Sequence, residues 1–129
     1  MPYTINPAGE NAYIVLKYIG EITRQLAIKA TEEAHALGAK QGINRYLVDA
    51  TEARNVENLL GNYDFAYNDL DGANIDRTAC IAMLVSEDDK SHDFVETLLI
   101  NAGHDVTLFK ERDSAVKHLL DVMKFQEKA

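Results

Sequence analysis

The chain has 129 residues, of which 47% are hydrophobic and 26% charged, and its 21 acidic and 13 basic residues give a formal net charge of −8. This length suits one domain over residues 1–129, with a core that needs neither disulfides nor metal. The negative charge disfavours nonspecific binding to nucleic acid. The sequence has neither a secretory signal pattern nor about 20 consecutive apolar residues, so we expect a cytoplasmic protein without a transmembrane segment.

The first predicted unit is a β-hairpin. Residues 3–6 are a short strand candidate, residues 7–11 (PAGEN) are typical of a turn, and residues 12–19 are rich in β-branched and aromatic side chains. The short link favours antiparallel pairing. Gly20 is expected to end the second strand.

A helix is predicted next, with Thr23 as its N-cap and glycines at positions 38 and 42 marking its end. Apolar residues recur there at helical spacing: Ile22, Leu26, Ala30, Ala34 and Leu37. Strand three is predicted over residues 45–49. It should stop on Asp49 and turn through residues 50–52 towards a second helix that begins near Asn55 and reaches Leu70.

The second half of the chain alternates in the same way. We predict a strand over residues 78–85, a helix over residues 94–102 preceded by a capping pattern at Ser86 and Asp89, a strand over residues 106–109 and a helix over residues 115–123. Residues 126–129 are expected to fray. The order β-β-α-β-α-β-α-β-α predicts an α/β fold with a mixed, mostly parallel five-stranded sheet and about four helices.

The candidate binding site lies on the loops that follow the parallel strands, because ligands of open sheets meet the carboxyl ends of strands. The polar residues predicted there are Glu21, Thr23, Asp49, Thr51, Arg54, Asn55, Ser86 and Lys110. Within this group, a carboxylate at 49, a hydroxyl at 86 and an ammonium at 110 would suit an aspartyl phosphoacceptor or an enzyme. Receiver domains place such residues at comparable strand ends, but they also need an acidic pair after their first strand, and here only Glu21 is close.

Three aromatic residues of the second helix form a further binding candidate. Tyr63 and Tyr67 share one face, whereas Phe65 points elsewhere, so at least one of them should be exposed or should cover a partner or ligand. An apolar pocket between this helix and the sheet would provide a site for a small apolar molecule.

No catalytic, cofactor or metal motif stands out. The histidines have no zinc-site spacing, and Cys80 has no cysteine partner. We expect His35 and His92 to be exposed helix residues, His104 to lie in a turn and Cys80 to be a small core residue.

Three segments resemble the STAS domain, in its SpoIIAA-like (STAS/Sec14-like) branch. They are GEIT at residues 20–23, LVDATEA at residues 47–53 and VTLFKERDSAVKHLL at residues 106–120. The resemblance covers nearly the whole chain and implies a regulatory, non-enzymatic module. Phosphoswitch STAS domains carry a phosphorylated serine in an Asp-Ser-Ser-Gly motif, but the corresponding stretch here is TEARNVEN, in which Thr51 is the nearest hydroxyl.

Three functions follow as hypotheses. The first is a regulatory module that engages a protein partner through residues 49–55 and the second helix. The second is a protein that binds a small apolar molecule or lipid, and the third is the phosphoacceptor or enzyme. A homodimer is compatible with each of them.

Overall fold

The computed structural model describes residues 2–73 and 75–128. The elements in chain order are β1 (Tyr3–Ala8), β2 (Tyr13–Ile22), α1 (Arg24–Gln41), β3 (Arg45–Asn55), α2 (Leu59–Asp64), a π-helical turn (Phe65–Asp69), β4 (Cys80–Leu84), α3 (Asp93–Asn101), β5 (Asp105–Phe109) and α4 (Arg112–Lys128). The predicted α/β class, the mixed five-stranded sheet and the four helices are confirmed. Within the described ranges, no helix combines the length and apolarity needed to cross a bilayer.

The strands lie side by side in chain order, from β1 at one edge to β5 at the other. The β1–β2 pair is antiparallel, as predicted, and the other three pairs are parallel. Right-handed crossovers that always step in the same direction place their helices on the same face of a sheet. Accordingly α1, α2 and α3 lie on one face, here called the three-helix face, and α4 covers the opposite face.

The described residues form two hydrophobic clusters on the three-helix face, and Ile81 packs against both. One joins α1 to β1, β2 and β3 through residues such as Ala30, Leu16 and Tyr46. The other joins the π-helical turn, α3 and β5 through residues such as Leu99 and Val106. The α4 face has a single cluster, centred on the fully buried Leu47, Ala82 and Leu119.

The boundaries of the hairpin differ from the prediction. Strand β1 continues through Pro7 to Ala8, which an edge strand tolerates because one side of its ladder is free. The turn begins at Gly9, where φ is +61° and a Cβ would lie 2.9 Å from the Tyr13 ring. Strand β2 does not end at Gly20 but continues to Ile22, after a register shift beyond Lys17.

The prediction that β3 stops on Asp49 is wrong. The strand continues to Asn55 because β2 is also longer than expected, and the two pair as a parallel extension up to Ile22 and Asn55. Strand β4 ends at Leu84, opposite Asp49. Asp49 therefore lies level with the carboxyl end of β4 but in the middle of its own strand.

Helix α1 begins as predicted, since the Thr23 hydroxyl accepts a hydrogen bond from the Leu26 amide at 3.2 Å. Gly42 ends the helix in the left-handed conformation, with φ at +71°. Gly38, however, lies inside the helix. A Cβ there would lie 2.0 Å from the Tyr46 hydroxyl oxygen, so the close contact of α1 with β3 requires glycine.

The remaining helices also differ at their ends. Helix α2 begins after the N-cap Asn58 rather than near Asn55, and it continues as the π-helical turn. The predicted capping pattern of α3 is not formed, because the Asp89 carboxylate accepts the Ser91 amide in a local turn and the helix begins at Asp93. Helix α4 continues through residues 126–128, which were expected to fray, whereas residue 129 lies outside the described residues.

Candidate functional site

A cavity of about 100 Å³ lies on the three-helix face, between the two hydrophobic clusters. Its walls are mostly carbon. The sheet contributes residues such as Val48, Ala50, Ile81 and Met83, and the helical layer contributes Phe65 and Val95. The crossover helices therefore do not close completely over the sheet, and an apolar space remains beneath α2 and the π-helical turn.

Three histidines line this cavity, and none is exposed as the sequence suggested for two of them. The exposed fractions are 7% for His35, 2% for His92 and 7% for His104. The expectation of exposed helix positions for His35 and His92 is wrong. His35 turns towards the sheet on the inner face of α1, and His92 is the N-cap residue of α3.

His35 is held as a neutral ring. Its Nδ1 accepts the Asp76 amide at 3.0 Å, so the proton of the neutral ring is on Nε2. The ring also stacks on Tyr46, with centroids 4.4 Å apart. Burial lowers the pKa of His35, and the nearby Asp76 carboxylate only partly opposes this shift.

The other two histidines carry unpartnered nitrogens. Among the described residues, the Nε2 atoms of His92 and His104 are buried and make no hydrogen bond. His92 Nε2 lies 3.5 Å from an Asp89 oxygen, too poorly aligned for a hydrogen bond. Burial lowers the pKa of both rings. Buried polar atoms normally have partners, so the Nε2 atoms of His92 and His104 mark polar contact points in a mostly apolar wall.

A polar network borders the cavity at the ends of β2 and β3. The Asn55 amide nitrogen donates to the Asn62 side-chain oxygen at 2.9 Å, and Asn55 Oδ1 accepts the Glu57 backbone amide at 3.0 Å. The Glu57 carboxylate in turn accepts the backbone amide of Arg24 at 2.8 Å. Of the site residues predicted from sequence, Thr23 and Asn55 line the cavity together with these neighbours.

Arg24 ties the start of α1 to the segment that covers the cavity. Its guanidinium forms a bidentate pair with Asp69 in the π-helical turn, through Nε and through Nη2 at 2.8 Å. A second carboxylate, that of Asp64, lies 3.6 Å from Nη1. Bidentate arginine–carboxylate pairs fix geometry as well as charge. The π-helical turn is therefore anchored to α1 across the cavity.

Asp49 lies on the opposite side of the sheet from the cavity. Its side chain is buried on the α4 face, where Oδ1 accepts the amide and the hydroxyl of Thr51 at 3.0 and 2.7 Å. Its Oδ2 lies 3.4 Å from a nitrogen of Arg112 at the start of α4. The charge of Arg112 compensates the buried carboxylate.

Ser86 and Lys110, predicted to act with Asp49, form hydrogen bonds to backbone carbonyls instead. The Ser86 hydroxyl donates to the Thr51 carbonyl at 2.8 Å, and the Lys110 ammonium donates to the Glu87 carbonyl at 3.1 Å. These bonds hold loop backbone in place. They give no specific support to a phosphoryl site at Asp49.

The other predicted positions lie near the surface. Glu21 and Arg54 lie opposite each other in the register of the exposed β2–β3 extension. A guanidinium nitrogen of Arg54 lies 3.9 Å from an Asp89 carboxylate oxygen. Tyr63 and Tyr67 stack with centroids 4.7 Å apart, and Tyr63 is 48% exposed. Of the three aromatics of this segment, Phe65 is the one that lines the cavity.

No protein-family model matches this chain, and no curated protein has a significantly similar sequence. The chemistry of the site must therefore be inferred from its own residues. An apolar space with a few hydrogen-bonding groups in its wall can hold a slender, mostly apolar molecule with one polar group.

Proposed function

We propose that the protein is a non-enzymatic binding module for a small, mostly apolar molecule held between α1, α2, α3 and the sheet. The observation that carries this proposal is the cavity between two hydrophobic clusters, with the unpartnered nitrogen of His104 in its wall. The walls are mostly carbon, so the space offers few of the two to four polar partners that a buried water needs. An apolar ligand would fill the space and its polar group would satisfy the histidine.

The volume limits the ligand. A cavity of about 100 Å³ is smaller than the roughly 150 Å³ that accommodates benzene in an engineered protein core. It is well below the roughly 300–1,000 Å³ of sites for drug-sized ligands. The proposed ligand is therefore a short or narrow chain, or a single small ring, unless the π-helical turn moves outward on binding.

Binding of this kind agrees with the STAS/Sec14-like resemblance, which would make the protein a cytoplasmic regulator. In that scheme the ligand would change the surface of α2, because α2 and the π-helical turn cover the cavity. The proposal assigns no phosphorylated residue.

The second candidate function is a protein-interaction module, favoured by the outer face of α2. Leu60 is 68% exposed and Tyr63, one turn further along the helix, is 48% exposed. Exposed apolar residues that recur on one helix face favour contact with another protein or with a second copy of this chain. Sedimentation of the wild type and of a Leu60→Glu variant would test self-association, which the acidic side chain should abolish.

The ligand proposal can be tested with two matched alanine variants. Ala50 on β3 lines the cavity and Ala82 on β4 faces α4, and both are fully buried. The melting temperature is measured with linear alcohols and carboxylic acids of increasing length. Within a narrow range of lengths these compounds should raise the melting temperature of the wild type. Ala50→Val fills part of the cavity and should lose this response.

Ala82→Val is the control, because it should retain the response even if its own melting temperature is lower. An unchanged melting temperature of the wild type across the series would contradict the proposal. Equal responses of the wild type and Ala50→Val would place any binding elsewhere on the protein.

A further inference from the structure

Three potential metal ligands meet on the α4 face, at the end of the sheet opposite to the loops after β4 and β5. Cys80 begins β4, Asp105 begins β5, and the two are direct neighbours in the parallel register. His118 reaches them from α4. One ligand atom from each residue lies within 4.8 Å of each of the others.

The distance between the Cys80 and His118 ligand atoms suits a tetrahedral zinc ion. Ligands at about 2.3 Å (sulfur) and about 2.1 Å (nitrogen) from a tetrahedral centre lie about 3.6 Å apart. The Sγ of Cys80 and the Nε2 of His118 are 3.6 Å apart. This distance also suits a thiol–imidazole hydrogen bond, but such a bond does not require a carboxylate beside both groups.

The three residues differ in solvent exposure, and an ion bound between them would be accessible from solvent on the side of Asp105. Cys80 is buried, His118 is half-buried and Asp105 is exposed. Burial, reinforced by the Asp105 carboxylate, raises the pKa of the Cys80 thiol to about 12.

Neighbouring groups support this arrangement. The Phe109 ring contacts His118, with centroids 5.4 Å apart, and limits the rotation of the imidazole. Arg45, a cation whose charge acts on the Cys80 thiol, donates to the Ala12 carbonyl at 2.6 Å and to the Gln126 side chain at 2.8 Å. These acceptors keep the guanidinium bonded away from the thiol.

We infer that Cys80, Asp105 and His118 form a binding site for a zinc-like divalent ion, with solvent as the fourth ligand. Sulfur and imidazole ligands select zinc and its substitute cobalt over magnesium and calcium, which prefer oxygen. Three protein ligands and an open position are typical of zinc sites that act on a water or a substrate. The site lies across the sheet from the cavity and is independent of the proposed ligand.

Titration of the chelator-treated, reduced full-length protein with Co²⁺ and then Zn²⁺ tests this inference. We expect one Co²⁺ per chain, with the charge-transfer absorption of a cobalt–thiolate bond and the visible bands of tetrahedral cobalt, both removed by Zn²⁺. Cys80→Ser should remove the charge-transfer band. Asp105→Asn, at an exposed position that should not disturb folding, should weaken binding at least about tenfold.

Two controls keep the result interpretable. His104→Gln removes a buried histidine outside the cluster and Ala50→Val alters the cavity, and both should bind the metal as the wild type does. Absence of the thiolate band in folded wild type would overturn the inference. Unchanged affinity in Asp105→Asn together with a retained band in Cys80→Ser would also overturn it.

Discussion

The two faces of the sheet are built from similar residues but are packed differently. On the α4 face, one helix lies across β3, β4 and β5 and forms a single cluster around Leu47, Ala82 and Leu119. On the three-helix face, α1 and α3 each organise their own cluster, and the cavity remains between them. A consecutive strand order can therefore create a binding space within the helical layer, without the reversal of strand order that forms the usual crevice.

The largest expected effect comes from matched leucine truncations on the two faces. Leu47→Ala on the α4 face should lower the free energy of unfolding by about 3–5 kcal/mol, because it opens a void in a filled cluster. Leu16→Ala should cost only about 2–3 kcal/mol, since Leu16 already borders the cavity and loses fewer contacts. Urea unfolding measures both free-energy changes. A larger loss for Leu16→Ala than for Leu47→Ala would contradict the looser packing of the three-helix face.

Larger side chains in the two faces should give the next largest difference in the free energy of unfolding. Ala82→Val adds two methyl groups to the filled face and should destabilise the protein by about 1–3 kcal/mol. The same change at Ala50 enters the cavity and should be within about 0.5 kcal/mol of the wild type, or stabilising. Guanidinium unfolding midpoints measure the difference, and equal destabilisation of the two variants would mean that the cavity does not exist in solution.

The buried histidines make the three-helix face sensitive to acid. Burial lowers the pKa values of His35, His92 and His104 in the folded protein, so protons bind more readily to the unfolded chain. The contribution of these neutral rings to the free energy of unfolding is therefore fully present above the unfolded pKa of about 6.5 and is lost as the pH falls below it. The loss is about 1.4 kcal/mol for each unit by which a histidine pKa is lowered.

Unfolding free energies at pH 7.5 and pH 5.5 test this pH dependence. His104→Gln should reduce the difference between the two pH values, because one buried titrating group is removed while Arg77, which also lowers the pKa of His104, remains. Carboxylates such as Asp76 and Asp89, whose pKa values are lowered, titrate further to the acid side. Equal pH dependence in the variant and the wild type would contradict a contribution from His104.

The smallest expected effect concerns the two ion pairs of α4. Arg112→Ala removes the partner of the buried Asp49 and should cost about 0.5–1 kcal/mol, because Arg112 is half exposed while the Asp49–Thr51 bonds remain. Lys117→Ala breaks an exposed pair with Asp121 and should cost at most about 0.5 kcal/mol. Thermal unfolding of both variants ranks them, and a larger loss for Lys117→Ala would contradict the assigned role of Arg112.

The order of elements was predictable because it depends on local patterns. The apolar run of β2, the helical spacing in α1 and the Thr23 cap each act within a few residues. The end of β3 was not predictable in this way. Its last residues, 51–55, are polar apart from Ala53 and show no apolar alternation, and they are strand only because β2 extends alongside them.

The residues of the cavity and of the metal cluster were even harder to predict, because tertiary contacts bring them together. His35 and His104 come together only after α1 and α3 have packed on the sheet, and nothing in their neighbouring residues signals burial. Cys80, Asp105 and His118 are far apart in sequence and have no motif spacing, so only the parallel register of β4 and β5 reveals them. Among the predicted binding residues, Thr23 and Asn55 reach the cavity, whereas Asp49 lies on the other face.

The most direct test of a binding cavity on the three-helix face is methyl NMR of the wild type during titration with a short linear alcohol, one of the slender probes that its volume admits. We predict shifts of Ile81, Met83 and Val95, which line the cavity, while Leu47 and Leu119 on the α4 face remain unmoved. Ala50→Val should abolish the shifts. No shifts at saturating alcohol, or equal shifts on both faces, would contradict the proposal that the three-helix face holds a binding cavity.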